Sequence, residues 1–187
     1  MKILSIITAA ILLASCTTQE TYELSKDESS LKWRGSITPD YFHTGSVDIT
    51  SGNIMIENDV LKEGSFEIDM STIKVEDENL PDEKKVKLVS HLKDADYFNA
   101  SGFPKVEVMV SGYADGNLNT TIKILGKELK RDIPVSMDKT ENSVSFKGKF
   151  DIDFDDLKLP GMQPEEGSED HVQSVVNYEL NLTLKKK

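Results

Sequence analysis

The residues from Gly64 to Val110 constrain the fold of this chain most strongly. Apolar and polar residues alternate over 66–70 and again over 106–110, which is the period of two typical of a strand buried on one face. Between these segments the apolar spacing becomes three to four residues and predicts one short helix over about residues 82–93, with Pro81 at its start. The pattern therefore indicates two strands of a sheet that are joined through a helix.

Alternation of apolar and polar residues continues through most of the chain, with Gly, Asn and Asp at the expected turns. Ser51-Gly52 is expected to be one such turn, and Asp151, Asp153 and Asp155 are expected to form an outward row of solvated charges. An open antiparallel sheet of this length exposes two edges, whereas closure into a barrel removes them. We therefore predict an all-β fold, an antiparallel barrel of about eight strands with one short α-helix.

The order of these segments resembles the YceI-like family of lipocalin-like, polyisoprenoid-binding proteins. The resemblance rests on IDMSTI at 68–73 and on KLVSHLKDADYFNASGFPKVEV at 87–108, and it covers nearly all of residues 22–187. Many members carry an arginine after the late strand, where this chain has Asp155 and Asp156. Membership implies a lipocalin-like barrel that encloses a hydrophobic chain.

The first residues indicate export to the bacterial cell envelope. Met1-Lys2 and an apolar run too short to span a bilayer are typical of a signal peptide. The sequence around Cys16 resembles the lipobox of bacterial lipoproteins, in which this cysteine receives lipid, and the alternative is an ordinary cleaved signal with a chance cysteine. We expect a signal peptide at 1–15, a lipidated N-terminus and linker at 16–21, and the barrel domain at 22–187. Thr17 follows the cysteine in place of an aspartate, which by resemblance to lipoprotein sorting in proteobacteria favours the outer membrane.

The charge of the chain limits its partners. The formal net charge is -11, and such a surface repels nucleic acids and anionic lipid head groups. Membrane attachment therefore depends on Cys16 rather than on a basic patch. Cys16 is also the single cysteine, so the domain has no disulfide and depends on its core for stability.

Catalytic and metal-binding patterns are not recognisable in the sequence. Ser90 and His91 are neighbours on the predicted helix and point about 100° apart, so they do not form a nucleophile and base pair. The three histidines lie in separate segments, and Asp156 and Met162 occupy positions where a calcium loop starting at Asp151 needs Gly and Glu. We therefore expect no enzymatic activity, no cofactor and no metal ion.

The inward side chains of the predicted barrel suit a long aliphatic chain. They are mostly Ile, Val and Leu, with few aromatics and with Thr120 and Arg131 as the polar exceptions. The same pattern also fits a filled core, which makes the barrel an interaction module that binds a protein or cell-wall partner through acidic loops. The resemblance favours a lipid partner: a polyisoprenoid or isoprenoid quinone, or a fatty acid or amide. The residues expected to contact it are Phe66, Ile68, Leu92, Phe98, Val108, Ile122, Ile124 and Phe146.

Overall fold

The computed structural model describes residues 18–38, 40–163 and 171–187 of the chain. The predicted signal peptide and Cys16 lie outside these residues. The described part contains ten strands and one α-helix, α1 (Asp82–Lys93). The strands are β1 (Gln19–Leu24), β2 (Ser30–Ser36), β3 (Phe42–Glu57), β4 (Val60–Val75), β5 (Lys105–Ala114), β6 (Asn117–Ile124), β7 (Lys127–Pro134), β8 (Ser136–Lys139), β9 (Ser143–Asp153) and β10 (Val175–Lys186). Within the described residues, no helix combines the length and apolar character needed to cross a bilayer.

All ten strands belong to one antiparallel sheet that closes on itself. β1 and β2 follow one another in the same position between β3 and β10, separated by the short 3-10 helix Lys26–Glu28. β7 pairs with β6, and β8, which follows β7 in the chain, pairs with β9. β7 and β8 together therefore occupy one position and close the barrel. The ten strands thus occupy eight positions around the barrel, and the predicted lipocalin-like fold is confirmed.

The predicted helix is also present, and its boundaries follow from its charges. Asp82 and Glu83 occupy the first turn, and His91 and Lys93 occupy the last, which is the arrangement that the helix dipole favours. α1 packs against β4 through its partly buried apolar side chains, whereas Val86 is 70% exposed. The helix covers one end of the barrel, between the end of β4 and the start of β5.

The turn predicted at Ser51-Gly52 is wrong. β3 runs without interruption through this point, and its register against β4 shifts between Ile49 and Ser51. The phenyl ring of Phe66 lies against Gly52, where a Cβ atom would collide with it. The glycine therefore marks a bulge and a close approach of a side chain to the backbone, two features that a turn signal resembles in sequence.

Asp151, Asp153 and Asp155 are all exposed, as predicted, but the strand that contains the row ends before Asp155. Pairing between β9 and β10 ends at Asp153 and Val175, so Asp155 is no longer in a strand and begins the 3-10 helix Asp155–Leu157. The backbone N–H of Asp155 donates to Oδ1 of Asp153 at 2.9 Å, which turns the chain at this point. The alternation of inward and outward side chains ends where the backbone of β9 stops pairing with β10.

Arg131 does not reach the barrel interior, contrary to the prediction. Its guanidinium donates to Oδ2 of Asp156 at 2.9 Å and to the carbonyl oxygen of Asp153 at 3.2 Å. Lys127 donates to the carbonyl oxygen of Leu157 at 3.0 Å. These side chains connect β7 to the end of β9 and to the 3-10 helix after it, across a seam where the backbones of β7 and β9 are not paired.

Candidate functional site

One end of the barrel is filled with side chains. Six large side chains there are less than 2% exposed, and they come from β1, the end of β3, the start of β9 and the end of β10. We call this group the floor: Tyr22, Ile54, Ile56, Val144, Phe146 and Leu184. The floor seals the end of the barrel where β1 begins and β10 finishes.

Charged groups cover the floor from outside. The carboxylate of Glu20 accepts hydrogen bonds from Lys139 at 2.8 Å, Lys186 at 2.5 Å and the hydroxyl of Tyr22 at 2.9 Å. These three donors lower the pKa of Glu20 from 4.5 to about 2. Lys139 also pairs with Asp59 at 2.7 Å, so the group ties β1, β8, β10 and the turn between β3 and β4 together.

Replacement of Glu20 by glutamine is expected to destabilise the protein in a pH-dependent way. The pKa of Glu20 is lower in the folded state, so its charge stabilises the fold above about pH 4.5, and this contribution is lost as the pH falls toward 2. The stability difference between wild type and Glu20→Gln should therefore shrink over that range. Urea unfolding at a series of pH values measures this stability difference. A difference that stays constant contradicts the lowered pKa of Glu20.

The other half of the barrel contains a cavity of about 180 Å³. Its wall is almost entirely apolar and is formed by side chains from β2 to β7, β9 and β10, together with segments beyond the strands. Seven of the eight residues predicted to contact a ligand line it: Phe66, Ile68, Leu92, Phe98, Val108, Ile122 and Ile124. Phe146 does not, because it belongs to the floor, where its ring packs edge-on to Tyr113 at 6.3 Å. The binding role of these residues stays a prediction.

The wall is more aromatic than the sequence suggested. Besides Phe66 and Phe98 it includes five aromatic side chains that were not predicted: Trp33, Tyr97, Phe150, Phe154 and Tyr178. Phe150 and Tyr178 stack at 5.8 Å, and Phe98 meets Phe154 edge-on at the same distance. Trp33, Phe150 and Tyr178 each lie on an alternating apolar stripe, so the period of two was a signal that could have identified them.

Polar atoms at the wall fall into two groups. Thr120 donates to the carbonyl oxygen of Arg131 at 2.7 Å, and the indole N–H of Trp33 donates to the carbonyl oxygen of Ser46 at 3.3 Å, so both are satisfied. The hydroxyls of Tyr97 and Tyr178 have no hydrogen-bond partner among residues 18–38, 40–163 and 171–187. Burial raises the pKa of both phenols, so each keeps its proton at neutral pH.

The cavity wall is therefore uncharged wherever it is described. It contains no Lys, Arg, His, Asp or Glu among the described residues. A charged group placed inside would lose its hydration without gaining a counter-ion, which is strongly unfavourable. The hydroxyls of Tyr97 and Tyr178 can form hydrogen bonds with a ligand, and the uncharged wall favours a ligand group that is neutral.

At the end opposite the floor, the cavity is lined by a group of side chains that we call the cap. It comprises Leu92, Tyr97, Phe98, Phe154 and Met162. Two segments are joined here, because the N–H of Gly161 donates to the carbonyl oxygen of Asp96 at 2.8 Å. The ring of Tyr97 lies directly on Gly161, where a Cβ atom would collide with it.

The histidines do not form a metal site in the described part of the chain. His43 contacts Asp77 at 2.6 Å, and Asp77 also accepts hydrogen bonds from the N–H and hydroxyl of Thr44, both at 2.8 Å. Burial opposes ionisation of Asp77, but these bonds outweigh it and lower its pKa. No group of three or more metal-binding side chains occurs in these residues. The expectation that the protein has no metal ion stays a prediction.

Comparison with known proteins places this arrangement in a family. Residues 22–185 match the family model described as the YceI-like domain. Curated proteins give no sequence match. The fold is similar to a structure described as a polyisoprenoid-binding domain from Saccharophagus degradans, with 15% identity, a TM-score of 0.66, and coverage of 89% of this chain and 98% of that one.

A second similar structure is BcnA from Burkholderia cenocepacia. It has 16% identity and a TM-score of 0.69, and the match covers 86% of this chain and 98% of BcnA. Identities this low establish a shared fold, whereas the family match spans most of the sequence. The barrel with its single helix and the extent of that match lead to one conclusion: this chain belongs to the YceI-like family.

Proposed function

We propose that this protein binds a long apolar chain in the cavity of its barrel and carries it without chemical change, while a lipid on Cys16 holds it to the cell envelope. The observation that supports this proposal is the uncharged and largely apolar cavity in a barrel whose other end is packed. An entirely filled interaction module would not need such a cavity. Apolar cavities with a few placed polar groups are typical of small-molecule sites.

The proposed ligand is an isoprenoid with a neutral head group, and an isoprenoid quinone fits best. The uncharged wall disfavours a phosphate or carboxylate inside the cavity, and the hydroxyls of Tyr97 and Tyr178 are available to a quinone carbonyl. The similar domain from Saccharophagus degradans is described as polyisoprenoid-binding, which supports the same ligand class.

The size of the cavity limits how such a chain is held. Its volume of about 180 Å³ is close to that of an engineered cavity of roughly 150 Å³ that binds benzene. A chain of several isoprene units therefore fits only if the side chains of the wall or the cap move. The floor is packed too tightly to give way.

Val108→Phe is expected to weaken quinone binding at least tenfold, because the added ring occupies part of the cavity. Met109→Phe is the matched control, since Met109 is the next residue on β5 and is 45% exposed on the outer face. Trp33 is the single tryptophan of the chain and lines the cavity, so quenching of its fluorescence by a ubiquinone with two isoprene units measures binding. Equal affinities of the two variants, or no quenching of the wild type, would contradict the proposal.

Cys16→Ala is expected to remove lipid from the protein. Cells that are fed an alkyne-labelled fatty acid should label the wild type and a Thr17→Ala control, but not Cys16→Ala. The variant should also leave the membrane fraction, because the acidic chain repels anionic lipids and the three lysines at 185–187 are paired with Glu28, Glu20 and Glu23. A wild-type protein that takes up no label would show that Cys16 is not a lipid anchor.

A further inference from the structure

The N-terminus leaves the barrel at the floor end. The N–H of Thr18 donates to Oδ1 of Asn58 at 3.2 Å, and the N–H of Asn58 donates to the carbonyl oxygen of Thr18 at 3.0 Å. Gln19 then pairs with Glu57 as β1 begins. Thr18, the first described residue, is thus fixed to the turn between β3 and β4, on the side of the barrel that the floor closes.

The cavity is inaccessible from this end. The floor separates it from the N-terminus with six side chains that are less than 2% exposed. At the opposite end, the loops that follow α1 and β9 meet at the cap through the hydrogen bond from Gly161 to Asp96, and the side chains of Lys127 and Arg131 reach across a seam where the strand backbones are not paired. A ligand therefore enters and leaves through the half of the barrel that contains the cap.

The distance between the two ends exceeds the reach of the proposed anchor. β10 runs from Val175 near the cap to Lys186 near the floor. At about 3.4 Å per residue and a strand tilt of about 40°, its length along the barrel axis is about 30 Å. Cys16 precedes Thr18 by two residues, which span at most about 7 Å. This tether keeps the floor end beside the anchoring membrane, and it is too short for the barrel to invert and place the cap against that membrane.

Exposed apolar side chains are concentrated around the cap end. Five of the seven large hydrophobic residues that are exposed in the described part lie in segments at this end. We call these five the rim: Tyr41, Phe42, Val86, Phe103 and Val175. The other two are Val60 and Met109. Exposed aromatic and aliphatic side chains at the end of an apolar cavity suit insertion into the interfacial layer of a bilayer.

We infer that the cap faces away from the anchoring membrane and that the cavity exchanges its isoprenoid with a second lipid surface, which the apolar rim at the cap end contacts. The inference rests on the proposed function, since it requires both the lipid on Cys16 and a ligand in the cavity. It adds a direction: the bilayer that holds the protein is not the bilayer that loads it. The acidic surface makes a second surface of low negative charge the preferred one.

Vesicle-bound protein tests this direction. The chain from Cys16 onward contains all ten strands, and Cys16 is its single cysteine, so a maleimide lipid in phosphatidylcholine vesicles anchors it at one point. In a matched variant, Cys16→Ser with Val86→Cys, the same chemistry anchors it through the exposed helix at the cap end. A ubiquinone with ten isoprene units is placed either in the anchoring vesicles or in a second population, and quenching of Trp33 gives the loading rate.

Protein anchored through Cys16 is expected to load no faster from its own vesicle than from the second population at equal quinone concentration. Protein anchored through Val86→Cys should load at least tenfold faster from its own vesicle. Loading through the Cys16 anchor that is tenfold faster from the anchoring vesicle would overturn the inference. Loading from a cyclodextrin complex of the quinone, but not from the second vesicles, would overturn the lipid surface as the partner.

The rim is tested with a second pair of variants. Phe103→Ser should slow loading from the second vesicles severalfold, whereas Met109→Ser, on the outer face in the middle of β5, should not. Equal rates for the two variants would contradict a role for the rim. Failure of the proposed function gives a different result, because free protein in solution would then show no quenching of Trp33 by the short quinone.

Discussion

Replacement of Gly45 by alanine is expected to destabilise the folded protein by at least about 3 kcal/mol. A Cβ atom at Gly45 would collide with the backbone carbonyl oxygen of Lys74 and would lie 2.5 Å from the indole of Trp33. Gly45 pairs with Trp33 on β2 and with Val75 on β4. A backbone oxygen that is held in a sheet moves only if the strand moves, so flexible side chains cannot relieve the clash.

Gly35→Ala is the control for this substitution. Gly35 lies on β2, two residues beyond Trp33, and a Cβ atom built there has no heavy atom within 4 Å. Its alanine variant should be within about 0.5 kcal/mol of the wild type. Urea unfolding followed by circular dichroism measures both variants. Similar stabilities of Gly45→Ala and Gly35→Ala would contradict the close packing of Trp33 on the backbone of β3.

The barrel fold could be predicted from sequence because its signal is repeated along the chain. Each strand that is buried on one face imposes the same alternation, and the single change of period identified α1 at residues 82–93. Interruptions were harder to interpret. Ser51-Gly52 has turn composition, but a bulge and a ring packed on the backbone need the same small residues.

The division of the barrel into floor and cavity could not be predicted from the alternating pattern. Ile54 and Ile56 lie in the floor, whereas Ile122 and Ile124 line the cavity, and both pairs have the same spacing in sequence. The pattern reports which face of a strand points inward, but not whether a side chain from the opposite wall meets it. That depends on pairing between strands distant in sequence, such as β1 with β10.

Segments outside the strands were equally difficult, because the cap depends on contacts between distant loops. Tyr97 and Gly161 lie far apart in the chain and meet only after the barrel has closed. The position of Arg131 outside the barrel interior has the same cause, because its partners, Asp153 and Asp156, lie across an unpaired seam. Strand periodicity contains no information about either contact.

Phe146→Ala and Ile122→Ala together test the division between floor and cavity. Phe146 is fully buried at 0% exposure, so its truncation leaves a void in a packed region and should cost about 3–5 kcal/mol. Ile122 already borders the cavity, so its truncation removes fewer contacts and should cost no more than about 2 kcal/mol. Urea unfolding of both variants measures the difference.

The ligand should separate the two variants further. A quinone that binds only the folded state stabilises it by about 2.7 kcal/mol at a hundredfold excess over its dissociation constant. Ile122→Ala keeps the floor, and bound quinone fills the space that the truncation opens, so the stability deficit of this variant relative to wild type should be smaller when both proteins are bound to quinone. For Phe146→Ala the same addition repairs nothing at the floor, and the deficit relative to quinone-bound wild type should remain. Equal costs for the two substitutions without ligand would contradict a barrel that is packed at one end and open inside at the other.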